Sequence, residues 1–446
     1  MDARSPTLPH AHSPVIYRPM PPRVCIVGQN ASLKFGGEAS LPWWCFKYLR
    51  ARGVDAHLVV HGRTRSEVQA GFPDDLDRLH FIPETRIDRL LWRMGSFLPG
   101  RLDAQTLMIL RHIYNQRLQK RIVRRLIAEK NIQIVHEISP VSPKQVSLMY
   151  GLGVPVVIGP LAGGMTYPPA FANLETFGAG AMEGLGRAMS HAFNFFMPGK
   201  RKAAGLIVAN EQTRAALPHG TTGKIYTIPD VGVDLSVWKD SADTPARDDG
   251  LVRFCYLGRL VDWKGVEFLL RAFALVAEAE PTARLDILGD GDQRKFLEDL
   301  QRELNLTERV TFVGWVSGAE GAKRLREADA LVLPSLHEVG GIVILEAMAV
   351  GLPVIAANWG GPGVHVSDET GIRVNPDSRE GFVKGLAEAM LKLVRSPELR
   401  GEMSRAAKLR VRTNFYDWNQ KIDRISEIYD DVLGDRRASS PAARGD

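Results

Sequence analysis

Eleven short apolar runs rich in β-branched residues punctuate the chain, and each is followed by a stretch of helical periodicity. They lie at 23–27, 56–60, 132–136, 154–158, 205–209 and 224–228, then at 252–257, 284–288, 311–314, 330–334 and 353–357. The runs are continuous rather than alternating, so both faces of each strand must be covered, as in a parallel sheet flanked by helices. This pattern predicts an α/β chain of two doubly wound, Rossmann-like domains facing each other across a cleft. At 446 residues, the chain is also too long for one hydrophobic core.

Hydrophobic periodicity stops in KDSADTPARDDG, residues 239–250, which reads as a linker. Residues 22–238 then form a first domain, 251–414 a second and 415–434 a terminal helix, while 1–21 and 435–446 read as flexible tails. Cys25, Cys45 and Cys255 are too few for a disulfide framework and lack metal-ligand spacing, which fits a reducing cytosol. No apolar stretch reaches membrane-spanning length, and the first twenty residues lack the apolar centre of a signal peptide. Residues 1–240 hold 29 Lys/Arg against 18 Asp/Glu, and the remainder 28 against 33, so the first half is strongly basic. Such asymmetry suits an anionic partner or a plain solvated surface.

The segment from Leu333 is the most informative. Glu338 follows the run 330–334, then Gly340, Gly341 and Ile342 open a helix whose residues are apolar except Glu346. A carboxylate among apolar neighbours needs hydrogen-bond donors, and the hydroxyls of a polyol are suitable. The glycines permit close approach of a ligand, and the helix amino terminus favours a phosphate. A structural tie for Glu346 is the plainer alternative. In a second segment Arg259 ends a strand and Lys264-Gly265 opens a helix, so Lys264 opposes the helix dipole unless an anion compensates it. The two cations suit a diphosphate; surface pairing with Asp262 or Glu267 is the alternative. Asp290-Gly291-Asp292 has a metal-binding look, but Asp292 precedes a helical pattern and reads as its cap. His337-Glu338 lacks the second histidine of a zinc site. No catalytic metal is expected. Residues 104–130 form a basic amphipathic helix suited either to core packing or to an anionic membrane surface, and Trp43 and Trp44 read first as core.

Taken together, Arg259 with Lys264-Gly265, Glu338 and Glu346, AVGLPVIA and the following Gly-Gly resemble the carboxy-terminal domain of the retaining family-four glycosyltransferases of GT-B fold. Gly36-Gly37-Glu38, His136-Glu137 and IPDVGVDLSVW resemble that family's amino-terminal domain, so the likeness runs over roughly residues 22–434. The resemblance implies an acceptor-side first domain and a second that binds a nucleotide sugar. It further implies that Glu338 binds the donor sugar, Glu346 the ribose hydroxyls, and Arg259 and Lys264 the diphosphate. Gly36 and Gly37 would let the first loop approach the phosphate, His136 would face the sugar, and the backbone from Gly314 to Val316 would contact the base. The sequence departs from the family at Gly360-Gly361-Pro362-Gly363-Val364, where a Glu is usual after the Gly-Gly. It departs again at Pro229-Asp230-Val231-Gly232-Val233-Asp234, one residue longer than usual.

The expected function is metal-independent transfer, with retention, of a sugar from a nucleotide diphosphate sugar to a saccharide or lipid-linked acceptor in polysaccharide or glycolipid synthesis. No cofactor and no nucleic acid are expected. The protein would be cytoplasmic, at the inner face of the membrane if its acceptor is lipid-linked. The rivals are a nucleotide-sugar epimerase or hydrolase of the same fold and a non-catalytic subunit of polysaccharide assembly. An NAD oxidoreductase is disfavoured because Gly28-Gln29-Asn30-Ala31 does not continue into a dinucleotide-binding glycine turn.

Overall fold

The structure is a computed structural model that describes residues 21–35, 37–95, 107–174, 193–238, 249–414 and 416–439. The first-half runs become β1 (Val24–Val27), β2 (Ala56–His61), β4 (Ile134–Glu137), β5 (Val156–Leu161), β6 (Gly205–Val208) and β7 (Lys224–Thr227), joined by β3 (Leu79–Ile82). They form one parallel sheet in the order β3-β2-β1-β4-β5-β6-β7. The second half gives β8 (Val252–Leu257), β9 (Ala283–Leu288), β10 (Val310–Gly314), β11 (Ala330–Leu333), β12 (Val354–Ala357) and β13 (Gly371–Val374). These are also parallel, in the order β10-β9-β8-β11-β12-β13. Central strands β1, β2, β4, β5, β6, β11 and β12 are buried at every residue, which is why they read as unbroken apolar runs.

Strand order reverses between β1 and β4 in one sheet and between β8 and β11 in the other. At such a switch point neighbouring connections leave on opposite faces and open a crevice at the carboxyl ends of the strands. The loops after β1, β4, β8 and β11 carry nearly every candidate residue.

Several expectations need correcting. β3 and β13, both edge strands, were not marked by apolar runs, because His80, Phe81, Ile372 and Arg373 keep partial or full solvent contact. The first domain is not self-contained over 22–238: Phe171, in the turn Pro169–Leu174, is fully buried in the core of the second domain, edge-on to Phe268 and Phe382. The terminal helix, Trp418–Ser439, places Ile422, Ile425, Ile428 and Tyr429 in the first domain's core and packs on the helix Gly37–Ala51. Gly36, residues 239–248 of the linker, residues 1–20 and residues 440–446 lie outside the described residues.

Candidate active site

The loops after β8 and β11 are built against each other. Gly265 has φ +70°, and a Cβ there would meet the Pro334 carbonyl oxygen at 2.4 Å, so only glycine permits this approach. Leu336 N donates to Trp263 O at 2.9 Å, tying the two loops together. The turn Asp262–Lys264 aims the Lys264 ammonium at Glu338, and the two side chains form a largely buried ion pair. Lys264 therefore pairs with neither Asp262 nor Glu267. Glu338 also accepts from Gly341 N at 3.3 Å, across a left-handed Gly341 (φ +61°) that caps the helix Ile342–Ala349. Among the described residues the N–H groups of Ile342 and Val343 have no acceptor, so the positive end of this helix is open beside the pair.

Two groups remain unpaired. The Arg259 guanidinium is exposed, 5.6 Å from the Trp263 ring centre, with no carboxylate partner among the described residues; the Tyr256 hydroxyl holds its turn by donating to Arg259 O at 2.9 Å. Glu346, one turn into the helix, is largely buried and has no hydrogen-bonding or ionic partner among the described residues. Burial pushes its carboxyl up from 4.5 to about 8. The structural tie offered as the alternative for Glu346 is absent among these residues.

A cavity of about 230 Å³ lies between the domains, lined by Gly37 and Glu38 from the first and by Glu338, Gly340, Gly341 and Ile342 from the second. The loop carrying Gly37 is fixed from behind: the Glu67 carboxylate accepts from Ser32 Oγ at 2.6 Å and from Leu33 N at 2.9 Å. Gly314 ends β10 and Val316 follows it, away from this cavity; Gly314 is left-handed and its carbonyl accepts from Gly289 N at 2.8 Å.

His136 does not face the cleft. Its ring is fully buried in β4, with Nδ1 2.7 Å from the Tyr429 hydroxyl and Nε2 2.8 Å from Gly159 O. Both nitrogens are satisfied, and burial holds the ring neutral by lowering its pKa to about 4. The cap assigned to Asp292 is also absent: Gln293 occupies the N-cap of the helix Arg294–Glu303 without a side-chain bond. Asp290 accepts from Gly291 N at 2.8 Å and lies 3.4 Å from Arg294. No set of three His, Cys, Asp or Glu side chains suited to a metal occurs among the described residues. Trp43 is core, with its ring centre 4.6 Å from that of Phe72. Trp44 lies beside Trp418 with the Lys47 ammonium 4.8 Å above it, so neither indole is an open platform.

Two buried lysines support the site and were missed. Lys200, fully buried opposite Glu137, donates to Ser142 O, while the adjacent Val141 N donates to Glu38 at 3.1 Å. Glu137 itself accepts from Gln116 and Ser147. Lys421, also fully buried, donates to Pro229 O at 2.7 Å and to Val231 O, beside Asp230. Val231 in turn presses on Gly340, where a Cβ would approach it to 2.2 Å. Lys200 sits in the basic, turn-like run Pro198-Gly199-Lys200-Arg201-Lys202 and Lys421 in a charged helical pattern, both of which read as solvent-facing; for Lys421 the one available signal was the extra residue at 229–234.

Two facing Rossmann-like sheets with paired acid and base at the second switch point define a GT-B fold. Residues 239–410 match the model of the family described as glycosyl transferases group 1. The glycogen synthase of Mycobacterium tuberculosis (strain CDC 1551 / Oshkosh) is 33% identical over 199 residues, 44% of this chain and 46% of that one. The D-inositol 3-phosphate glycosyltransferase of Saccharomonospora viridis is 31% identical over 225 residues, 47% of this chain and 51% of that protein. The chain thus spans about half the length of these curated relatives. Among solved structures, Anabaena HepE in complex with UDP superposes with a TM-score of 0.62 at 16% identity, covering 92% of this chain and all of that one. That likeness extends the fold to both domains.

Proposed function

We propose that the protein transfers a sugar, with retention of anomeric configuration and without a metal, from a nucleotide diphosphate sugar to a saccharide or lipid-linked acceptor. The observation that carries this reading is the set of two cations and two carboxylates around one open helix terminus, with no ion-pair partner for Arg259 and no hydrogen-bonding or ionic partner for the Glu346 carboxyl among the described residues. A diphosphate set against the N–H groups of Ile342 and Val343 would meet Arg259 and draw Lys264 from Glu338. Glu338 is thereby released to accept sugar hydroxyls, and Glu346 accepts the ribose diol, a pair of donors that matches its empty carboxyl. Preorganised donors of this kind contribute roughly 3–4 kcal/mol each when charge develops on a leaving group. The departing phosphate oxygen takes the proton of the acceptor hydroxyl on the same face as the new bond, so no separate carboxylate base is required. The burial of His136 agrees with a mechanism that assigns it no proton transfer.

Since HepE is described with UDP, UDP-sugars are the first donors to try, with GDP-sugars beside them. The test is incubation of the full chain with each donor and an acceptor library, reading product anomeric configuration by NMR. An α-linked product from an α-linked donor supports the reading. Epimerised donor, or free sugar released stoichiometrically without acceptor, would identify an epimerase or hydrolase, and an inverted product would remove the same-face mechanism.

A further inference from the structure

A second surface, on the first domain and outside the cleft, carries chemistry that catalysis does not use. The helix Arg86–Gly95 packs on the helix Leu107–Lys130. Its one acidic residue, Asp88, is turned inward: it accepts from Arg111 Nε at 2.8 Å and Asn115 Nδ2 at 3.2 Å, and lies 3.4 Å from His61. With Asp88 neutralised inside, the outer face presents Arg86, Arg89 and Arg93 interleaved with Ile87, Leu90 and Met94, which are 50, 57 and 48% exposed. Apolar side chains of this size normally pack inward, and a helix this short gains nothing from leaving three of them in water.

The exposed apolar surface continues. Met108 and Leu110, in the first turns of the helix Leu107–Lys130, are about half exposed. Beside them Phe193 and Met197 pack with Ile109 against Ile113, Val146 and Leu148. The intervening Phe195 and Phe196 project outward, 65 and 75% exposed, with the Arg201 guanidinium 5.5 Å from the Phe195 ring centre. Further along the same helix, Arg117, Arg121, Arg124 and Arg125 are exposed. The two helices together hold ten Lys or Arg against two acidic residues, one of them the buried Asp88.

We infer that this face is a docking surface for an anionic lipid bilayer. Apolar side chains would enter the headgroup boundary while the surrounding guanidinium groups meet lipid phosphates. Charge complementarity selects this occupant: a protein partner would have to be strongly acidic around an apolar centre, whereas an anionic bilayer presents that combination everywhere. The basic helix foreseen from the sequence therefore takes part by its charge, but its own apolar stripe is largely inside; Ile113, Val123 and Leu126 are buried. The apolar insertion comes from Arg86–Gly95 and the Phe195-Phe196 pair.

The inference bears on the lipid-linked option of the proposed function, yet it is tested without donor or acceptor, so the two readings fail separately. Flotation of the full chain with vesicles of phosphatidylglycerol in phosphatidylcholine is compared with phosphatidylcholine alone. Binding is expected to require the anionic lipid and to weaken with salt. Each cation near such a surface contributes about fivefold, so Arg86→Glu/Arg89→Glu should lower partitioning at least about twenty-fold. Phe195→Ser/Phe196→Ser should lower it with anionic vesicles while leaving the thermal unfolding midpoint unchanged, because both rings are exposed. Wild type that ignores anionic vesicles at low salt would overturn the inference, as would binding indifferent to both variants. A wild-type dimer in solution that Phe195→Ser/Phe196→Ser converts to monomer would assign the face to a second copy instead.

Discussion

Glu346→Gln should make the ligand-free protein more stable and the liganded protein less so. In the free protein a carboxyl that ionises at 4.5 in the open chain ionises only near 8, because burial without a partner penalises the charge. A raised carboxyl pKa means the folded state binds the proton more tightly. Stability therefore falls as pH rises from about 4.5, and the loss is complete above about 8. At about 1.4 kcal/mol per pH unit the interval sets a ceiling near 5 kcal/mol, and the partial solvent contact of the side chain reduces the realised figure to about 1–3 kcal/mol. Glutamine keeps the shape and removes the charge, so the variant should unfold several degrees higher than wild type at about pH 8.5 and alike at about pH 4.5. In the same samples UDP or GDP should raise the wild-type midpoint and barely move that of the variant, since hydrogen bonds to a charged acceptor are worth about 1.5–3 kcal/mol. The assay is differential scanning fluorimetry across pH with and without nucleotide. A variant no more stable than wild type at high pH would refute the burial argument, and equal nucleotide response would remove the ribose assignment.

Nucleotide binding should release a proton near neutral pH, and affinity should strengthen as pH rises towards about 8; calorimetry in buffers of different ionisation enthalpy checks both. Lys264→Met and Glu338→Gln should each abolish most turnover, while only the double variant recovers stability, because either single change leaves one charge largely buried and unpaired; thermal melts with a coupled turnover assay separate these. Lys421→Met should cost about 3–5 kcal/mol by stranding Asp230, with much of it restored in Lys421→Met/Asp230→Asn, as read by denaturant melts. Chelation with EDTA should leave transfer unchanged; full loss with recovery on Mn²⁺ would contradict the metal-free reading.

The architecture was legible because buried parallel strands must be apolar at every position, a demand no surface segment shares. The same reasoning was blind to β3 and β13, whose edge positions relax that demand at His80 and Arg373. In the site, the local chemistry at Lys264, Glu338 and Glu346 was readable from residue types set against their neighbours. Their mutual pairing was not, since Lys264 and Glu338 meet through loops 74 positions apart. His136 shows the opposite limit: a strand-end histidine looks the same whether its ring meets ligand or core, and the deciding partner, Tyr429, lies 293 residues away. Lys200 and Lys421 were hidden because sequence assigns lysine to water unless burial is already known.

The return of the helix Trp418–Ser439 to the first domain also governs how the polypeptide is made. Ile422, Ile425, Ile428 and Tyr429 complete a core whose other members come mostly from the first half of the chain. At about 5–20 residues per second, the stretch between β7 and that helix takes on the order of 10–40 s to synthesise. Throughout that interval the nascent first domain holds an uncovered apolar trough, with Phe171 also waiting for its partners Phe268 and Phe382. A stop codon placed before Trp418 is therefore expected to leave that trough open and to lower the soluble yield of the first domain.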